Sequence, residues 1–164
     1  MAEGTLNTGA NVDSSGPQSD IHVSIVIPCL NEERFIGECL DSIIANDFHN
    51  DRFEVFVVDG MSEDRTVEIV QEYVEKYPFI KLLHNPRKFA PVAQNIGIEQ
   101  TKGRFVFQID AHVRIQKDYL STCVEYLETH RGVDAVGGPM VTLPKDSTAV
   151  GNAIALALSC PFGV

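Results

Sequence analysis

Val23-Ser-Ile-Val-Ile-Pro-Cys-Leu-Asn-Glu-Glu33 is the stretch that decides the fold class of this chain. Val23–Ile27 is a nearly unbroken β-branched run, the pattern of a strand covered on both faces. Pro28 is expected to end the strand and turn the backbone out with free amides and carbonyls, since proline cannot donate to a ladder. Asn31 then offers a helix N-cap, and Glu32 and Glu33 suit a first helical turn. Phe35, Ile36, Cys39, Leu40, Ile43 and Ile44 recur at helical spacing and give that helix one apolar face.

The same strand-then-helix grammar repeats downstream. Phe53–Val58 reads as a second strand ending at Asp59-Gly60. Ser62 is the expected cap of the next helix, with Arg65 where a capping box would carry Glu, and with Val67, Val70, Tyr73, Val74 and Tyr77 on its core face. Pro78 stops that helix, and Phe79–Leu83 is a short third strand. The loop His84–Lys88 leads to a helix over Pro91–Gln100, with Gly103 after its end. Arg104–Ile109 is a strand, Lys117–Thr129 a helix with Tyr119, Leu120, Cys123, Val124 and Leu127 inward, and Val133–Val136 a further short strand. This alternation predicts an α/β domain, a mostly parallel sheet with helices on both faces. Residues 1–20, rich in Gly, Ser, Asn and Asp, read as a disordered tail.

Composition narrows function by exclusion. At 164 residues the chain suffices for one core. A net charge of −10 argues against a nucleic-acid partner, because neutralising phosphates takes clustered Lys and Arg. Cys29, Cys39, Cys123 and Cys160 lack Cys-x-x-Cys spacing; three of the four sit in apolar surroundings and read as small buried hydrophobes, a usage that fits a reducing, cytoplasmic setting. No apolar run reaches the roughly 18 residues of a membrane span.

The loops at the strands' C-terminal ends carry the chemistry, because ligands bind there in open α/β sheets. Asp110-Ala-His112 follows a strand and sets a carboxylate and an imidazole at that edge. Mg²⁺ takes carboxylate oxygen, Mn²⁺ accepts both, and two side chains leave positions open for phosphates. Pro28–Glu32 can read a base edge and ribose hydroxyls, or can be only a helix start. Asp59 can accept a base N–H such as the uracil imide, or can cap the helix after it; Gly60 permits the tight turn. Arg87 and Lys88 precede a helix N-terminus suited to a diphosphate, with Gln94 and Asn95 on that helix, or form an exposed basic loop. No Gly-x-Gly-x-x-Gly or Walker A sequence is present to hold phosphate.

In order and spacing these motifs resemble the family-2 glycosyltransferases of the GT-A fold, a Rossmann-like nucleotide-sugar-binding fold. The resemblance covers Ile21 to Gly138 and rests on Val23–Glu33, Val57-Val-Asp-Gly60 with Ser62–Thr66, Ala93-Gln-Asn-Ile-Gly97, and Asp110-Ala-His112. It implies that Pro28, Leu30, Asn31 and Glu32, with Asp59 and Gly60, hold the base and ribose. It also implies that Asp110 and His112 hold Mg²⁺ or Mn²⁺ on the donor diphosphate, and that transfer inverts the anomeric centre. Two departures stand out. His112 replaces the family's usual second Asp, as in enzymes of succinoglycan-type exopolysaccharide synthesis. Gln94 stands where Arg is usual, leaving Arg87 and Lys88 as the cations near the phosphates.

The resemblance therefore implies a metal-dependent glycosyltransferase using a nucleotide-diphosphate sugar, UDP-linked, with a saccharide or lipid-linked acceptor in polysaccharide synthesis. Residues 21–148 are expected to form the donor-binding domain, and residues 149–164 the apolar start of an acceptor region cut short. The family's catalytic base and Gln-x-x-Arg-Trp motif are expected beyond residue 164, and the chain has no Trp. On that reading the chain alone transfers sugar poorly, and the whole protein works in the cytoplasm or at the cytoplasmic face of a membrane. The alternative is a non-catalytic nucleotide-binding or protein-interaction module whose apolar end docks on a partner or membrane. A sugar nucleotidyltransferase would carry a Gly-rich basic loop after its first strand, which Pro28–Glu33 is not.

Overall fold

In the computed structural model, residues 21–50, 52–139, 141 and 148–158 are described. The expectations for residues 1–20 and for 159–164 lie outside them. β1 (Val23–Cys29) and β2 (Phe53–Asp59) form the centre of a four-stranded parallel sheet, with β3 (Ile80–His84) and β4 (Phe105–Gln108) at its edges in the order β3-β2-β1-β4. Every residue of β2 is buried, the two-sided burial that the unbroken apolar runs predict. The edges are less covered: Lys81 of β3 and Val106 of β4 are exposed.

α1 (Ile36–Ile44) and α2 (Thr66–Lys76) follow strands that step in one direction across the sheet, so right-handed crossovers put both on one face. The Tyr73 hydroxyl ties them, its one proton donated to Asp41 Oδ1 (2.8 Å) and shared with the Gly37 carbonyl (3.2 Å). α3 (Ala90–Ile98) connects β3 back to β4 and therefore covers the opposite face. There Ala93 packs with Val26, Phe56 and Val58, joined by Leu83 and Ile96. Gly97 lets α3 approach closely, since a Cβ at that position would lie 2.4 Å from Val26 Cγ1. The order reverses between β1 and β4, which makes the crevice at their C-terminal ends the topological switch point where such sheets bind ligands.

At the other end of the strands the buried Glu54 carboxylate is fully engaged. Its Oε1 accepts from the Ser24 hydroxyl (2.9 Å) and the Lys102 amide (2.8 Å), and its Oε2 pairs with Lys81 Nζ (3.2 Å). A buried charge is tolerated on such terms, paired and hydrogen-bonded. These bonds join β1, β2, β3 and the turn before β4.

Pro28 and Val133–Val136 depart from what their sequence predicts. Pro28 does not end β1: the strand runs through it to Cys29, paired with Val58 and Asp59. Odd-numbered residues of β1 turn their peptide groups to β2 and even-numbered ones to β4, as Gly60 N–H on the Cys29 carbonyl and Ile109 N–H on the Val26 carbonyl show. The missing N–H of Pro28 thus faces the β4 side, where pairing has already stopped at Val26–Gln108. Second, Val133–Val136 forms no strand; Asp134 and Ala135 are exposed and the two valines half-buried. Two valines have β-propensity, but that propensity is expressed only against a neighbouring strand.

Contacts divide the chain after Lys117 into two compact units. The first holds the sheet and α1–α3. The second holds α4 (Tyr119–Thr129), with Leu120, Cys123 and Val124 buried, and α5 (Ala149–Leu158), whose first turn is capped by Thr148 Oγ1 accepting the Gly151 amide (3.1 Å). Among the described residues no helix is long and apolar enough to cross a membrane.

Candidate donor-binding site

Cys29, Asp59 and His84 stand at one level across β1, β2 and β3, so the loops after these strands leave the sheet side by side. Asp59 is 1% exposed. Its carbonyl accepts the Asn85 amide (2.7 Å), and its carboxylate oxygens accept the Ser62 amide at 3.3 and 3.1 Å. Cys29 Sγ lies 4.0 Å from Oδ1. Gly60 donates its amide to the Cys29 carbonyl (2.8 Å), and a Cβ there would press on that same oxygen at 3.3 Å. A buried carboxylate is thereby fixed at the sheet edge by the Ser62 amide, while its own backbone is held by the Asn85 amide.

The first two loops are laced to each other. Asn31 adopts a left-handed backbone (φ 57°), its amide donates to Ser62 Oγ (2.9 Å), and its Oδ1 accepts the Glu63 amide (2.8 Å). Glu32 N–H donates to Thr66 Oγ1 (2.8 Å) and Glu33 N–H to Asp64 Oδ2 (3.1 Å), while the Arg65 amide returns to Glu33 Oε2 (3.1 Å). The amides of Asn31, Glu32 and Glu33 are therefore not free, contrary to the expectation. Nor do Asn31 and Ser62 cap the helices that follow them: the N-cap positions are Phe35 and Arg65, without side-chain bonds. Asn31 and Ser62 serve the neighbouring loop instead. The Asp64 carboxyl is held below its ordinary range; a burial cost that raises it is outweighed by the Thr66 hydroxyl and amide and the Glu33 amide.

Asp110 and His112 leave β4 beside β1, at the switch point. The Ile109 amide still bonds the Val26 carbonyl (3.1 Å), so the residues after it begin at the sheet edge. Ala111 is buried while Asp110 and His112 are exposed, which sends both metal-type side chains outward. The Asp110 carbonyl is pinned by the Val113 amide (3.0 Å) and Cys39 Sγ (3.7 Å). His112 Nδ1 lies 3.2 Å from Glu32 Oε1, joining the loop after β4 to the loop after β1. One carboxylate and one imidazole fit Mn²⁺, or Mg²⁺ with less use of the nitrogen. Among the described residues no group of three or more His, Cys, Asp or Glu forms a closed metal site. An ion held here needs outside oxygens, as a phosphate ligand would supply.

The remaining expected residues sit further out. Arg87 is exposed, its amide turned to Asn85 Oδ1 (3.1 Å). Lys88 is left-handed (φ 61°), and its Nζ reaches Glu63 Oε1 at 3.5 Å, so it is already partnered by a carboxylate. Gln94 is half-buried and Asn95 exposed on α3. Pro28 is half-buried inside β1 and Leu30 is exposed. The reading by sequence missed Asn85, 1% exposed, which organises the loop after β3: its Nδ2 donates to the Phe89 carbonyl (2.9 Å). The signal was present as Asn-Pro, a dipeptide that favours an Asx turn. Cys29 and Cys39 border the site but are not nucleophiles. Burial first, then the charges of Asp59 and Glu32 for Cys29 and of Asp110 and Glu32 for Cys39, push both thiols up to about 12.

Comparison with known proteins gives this geometry its family. The sequence profile described as Glycosyl transferase family 2 matches residues 24–152. Dolichyl N-acetyl-alpha-D-glucosaminyl phosphate 3-beta-D-2,3-diacetamido-2,3-dideoxy-beta-D-glucuronosyltransferase of Methanococcus voltae is 32% identical over 105 residues, covering 63% of this chain and 33% of that protein. Among solved structures, S. aureus TarS in complex with UDP is 28% identical at a TM-score of 0.61, covering 77% of this chain and 40% of that one. The mannosyltransferase PcManGT from Pyrobaculum calidifontis in complex with GDP-Man and Mn²⁺ is 30% identical at a TM-score of 0.64, covering 68% and 33%. The chain spans less than half the length of these relatives. With its parallel sheet, its acidic switch point and a profile match over most of its length, the chain belongs to glycosyl transferase family 2.

Proposed function

We propose that this chain is the donor-binding part of a metal-dependent, inverting glycosyltransferase that takes its sugar from a UDP-sugar. The observation that carries the proposal is the convergence at one sheet edge of the buried Asp59, the laced loops around it, and the outward Asp110 and His112. Asp59 accepts the base imide, and Pro28, Leu30, Asn31, Glu32 and Gly60 shape the nucleoside pocket. Arg87, Lys88, Gln94 and Asn95 lie on the diphosphate side. Asp110 and His112 would hold Mn²⁺ or Mg²⁺, which neutralises charge on a departing diphosphate as a Lewis acid. UDP in TarS and GDP-Man with Mn²⁺ in PcManGT support this use of the fold. The acceptor is a saccharide or lipid-linked saccharide, as the dolichyl phosphate in the name of the M. voltae relative suggests. A lipid-linked acceptor places the work at the cytoplasmic face of a membrane, and the general base is assigned to the acceptor half of the whole protein.

Base selection is the test. Calorimetric titrations of UDP, GDP and CMP, each with Mn²⁺, should show UDP binding tightest. Asp59→Asn keeps an acceptor for the Ser62 amide but loses the charge offered to the base, and should weaken UDP by about tenfold to a hundredfold, roughly 1.5–3 kcal/mol. Preference for GDP, or an unchanged UDP affinity in Asp59→Asn, would contradict the role given to Asp59.

A further inference from the structure

Glu32 and His112 meet across the switch point, Oε1 to Nδ1, at 3.2 Å. The two ring nitrogens of a neutral histidine differ: one carries the proton and the other offers a lone pair. A proton on Nδ1, donated to the carboxylate, leaves Nε2 open to a cation, whereas a proton on Nε2 blocks it. Glu32 is well placed to impose the first arrangement. Its amide is anchored on Thr66 Oγ1 (2.8 Å), and its carbonyl accepts the Phe35 and Ile36 amides (3.0 and 2.9 Å). Its side chain is 22% exposed, against 57% for His112, so the more sheltered group holds the freer one. The neighbouring cation, Arg114, is engaged with Glu38 (3.2 Å).

We propose that Glu32 is a positioning residue for His112, fixing its proton on Nδ1 and presetting Nε2 as a metal ligand. This rests on the reading of His112 as a ligand given above, and it assigns Glu32 a task beyond the ribose. Carboxylate partners of ligating histidines typically govern ten- to hundredfold in metal affinity.

Nitrogen-resolved histidine NMR of the metal-free chain, at about pH 8.5 and so above the ordinary histidine range, reads the proton directly. His112 signals are identified by their loss in His112→Asn. The wild type should show the Nδ1–H form, and Glu32→Ala should shift it toward Nε2–H. Mn²⁺ affinity at UDP concentrations that saturate each variant, read from the paramagnetic resonance of free Mn²⁺, should fall about ten- to hundredfold in Glu32→Ala and less in Glu32→Gln, which keeps an acceptor oxygen. In a His112→Ala background the Glu32→Ala effect on Mn²⁺ should vanish, because the two act as a unit. A wild type that binds Mn²⁺ with His112 in the Nε2–H form overturns the inference alone, as does a Glu32→Ala chain with unchanged Mn²⁺ affinity. A wild type that binds no Mn²⁺ with UDP overturns the ligand reading and this inference together.

Discussion

Cys29 and Asp59 end adjacent paired strands, and their proximity shows what residue-level reading can and cannot reach. A cysteine in an apolar run is readily taken as a small buried hydrophobe, and Cys29, Cys39 and Cys123 are buried and unpaired thiols. That acidic side chains border two of them depends on contacts between distant positions. With Cys29 and Cys39 raised to about 12 from an ordinary 9.0, their thiolate at neutral pH is about a thousandfold scarcer than usual. In a chain carrying Cys123→Ser and Cys160→Ser, Ellman's reagent should therefore react at the rate of unfolding rather than of surface thiols; a rapid reaction of one equivalent or more would contradict the burial of Cys29 and Cys39. Asn31 and Ser62 teach the complementary lesson. A capping side chain and a cross-loop clasp use the same chemistry, an oxygen accepting an amide. Sequence shows that such oxygens are present but not which amide they take, and here the amides lie 31 and 32 residues away.

At the scale of elements, hydrophobic periodicity placed β1–β4 and α1–α4 within a few residues, because burial on two faces or one leaves that imprint. Pro28 was misread because strand position, not proline alone, decides whether a missing amide matters. Val133–Val136 was misread because nothing in four residues says whether a partner strand stands beside them. The contact of α3 with β1 offers a direct test of the packing. Helix propensity alone favours Ala over Gly by about 1 kcal/mol. At Gly97 the added Cβ would stand 2.4 Å from Val26 Cγ1 and 3.1 Å from Cγ2, and overpacking of this kind costs about 1–3 kcal/mol. Gly97→Ala should thus change stability by a net loss of up to about 2 kcal/mol in urea titration, and in a Val26→Ala background, where the clash is relieved, Gly97→Ala should cost less than it does in wild type. A Gly97→Ala chain more stable than wild type by the full gain of about 1 kcal/mol that helix propensity gives would show that α3 does not lie against β1 as described.

Over the whole molecule, motifs spread from residue 28 to residue 112 come together because the strand order reverses between β1 and β4. That convergence was legible as a rule about α/β sheets, whereas the Glu32–His112 contact, 80 positions apart, was not. Charge sharpens the functional claim. The chain carries a net −10, and the site gathers Glu32, Asp59 and Asp110 while Lys88 is occupied by Glu63. A diphosphate approaching those carboxylates is repelled unless a cation intervenes. The most direct measurement is calorimetric titration of UDP into wild type and Asp110→Ala, with and without Mn²⁺. The account predicts that Mn²⁺ tightens UDP binding to wild type by at least about tenfold, roughly 1.4 kcal/mol, and that Asp110→Ala abolishes this gain. Equal affinity with and without Mn²⁺, or a metal effect that survives in Asp110→Ala, would contradict it.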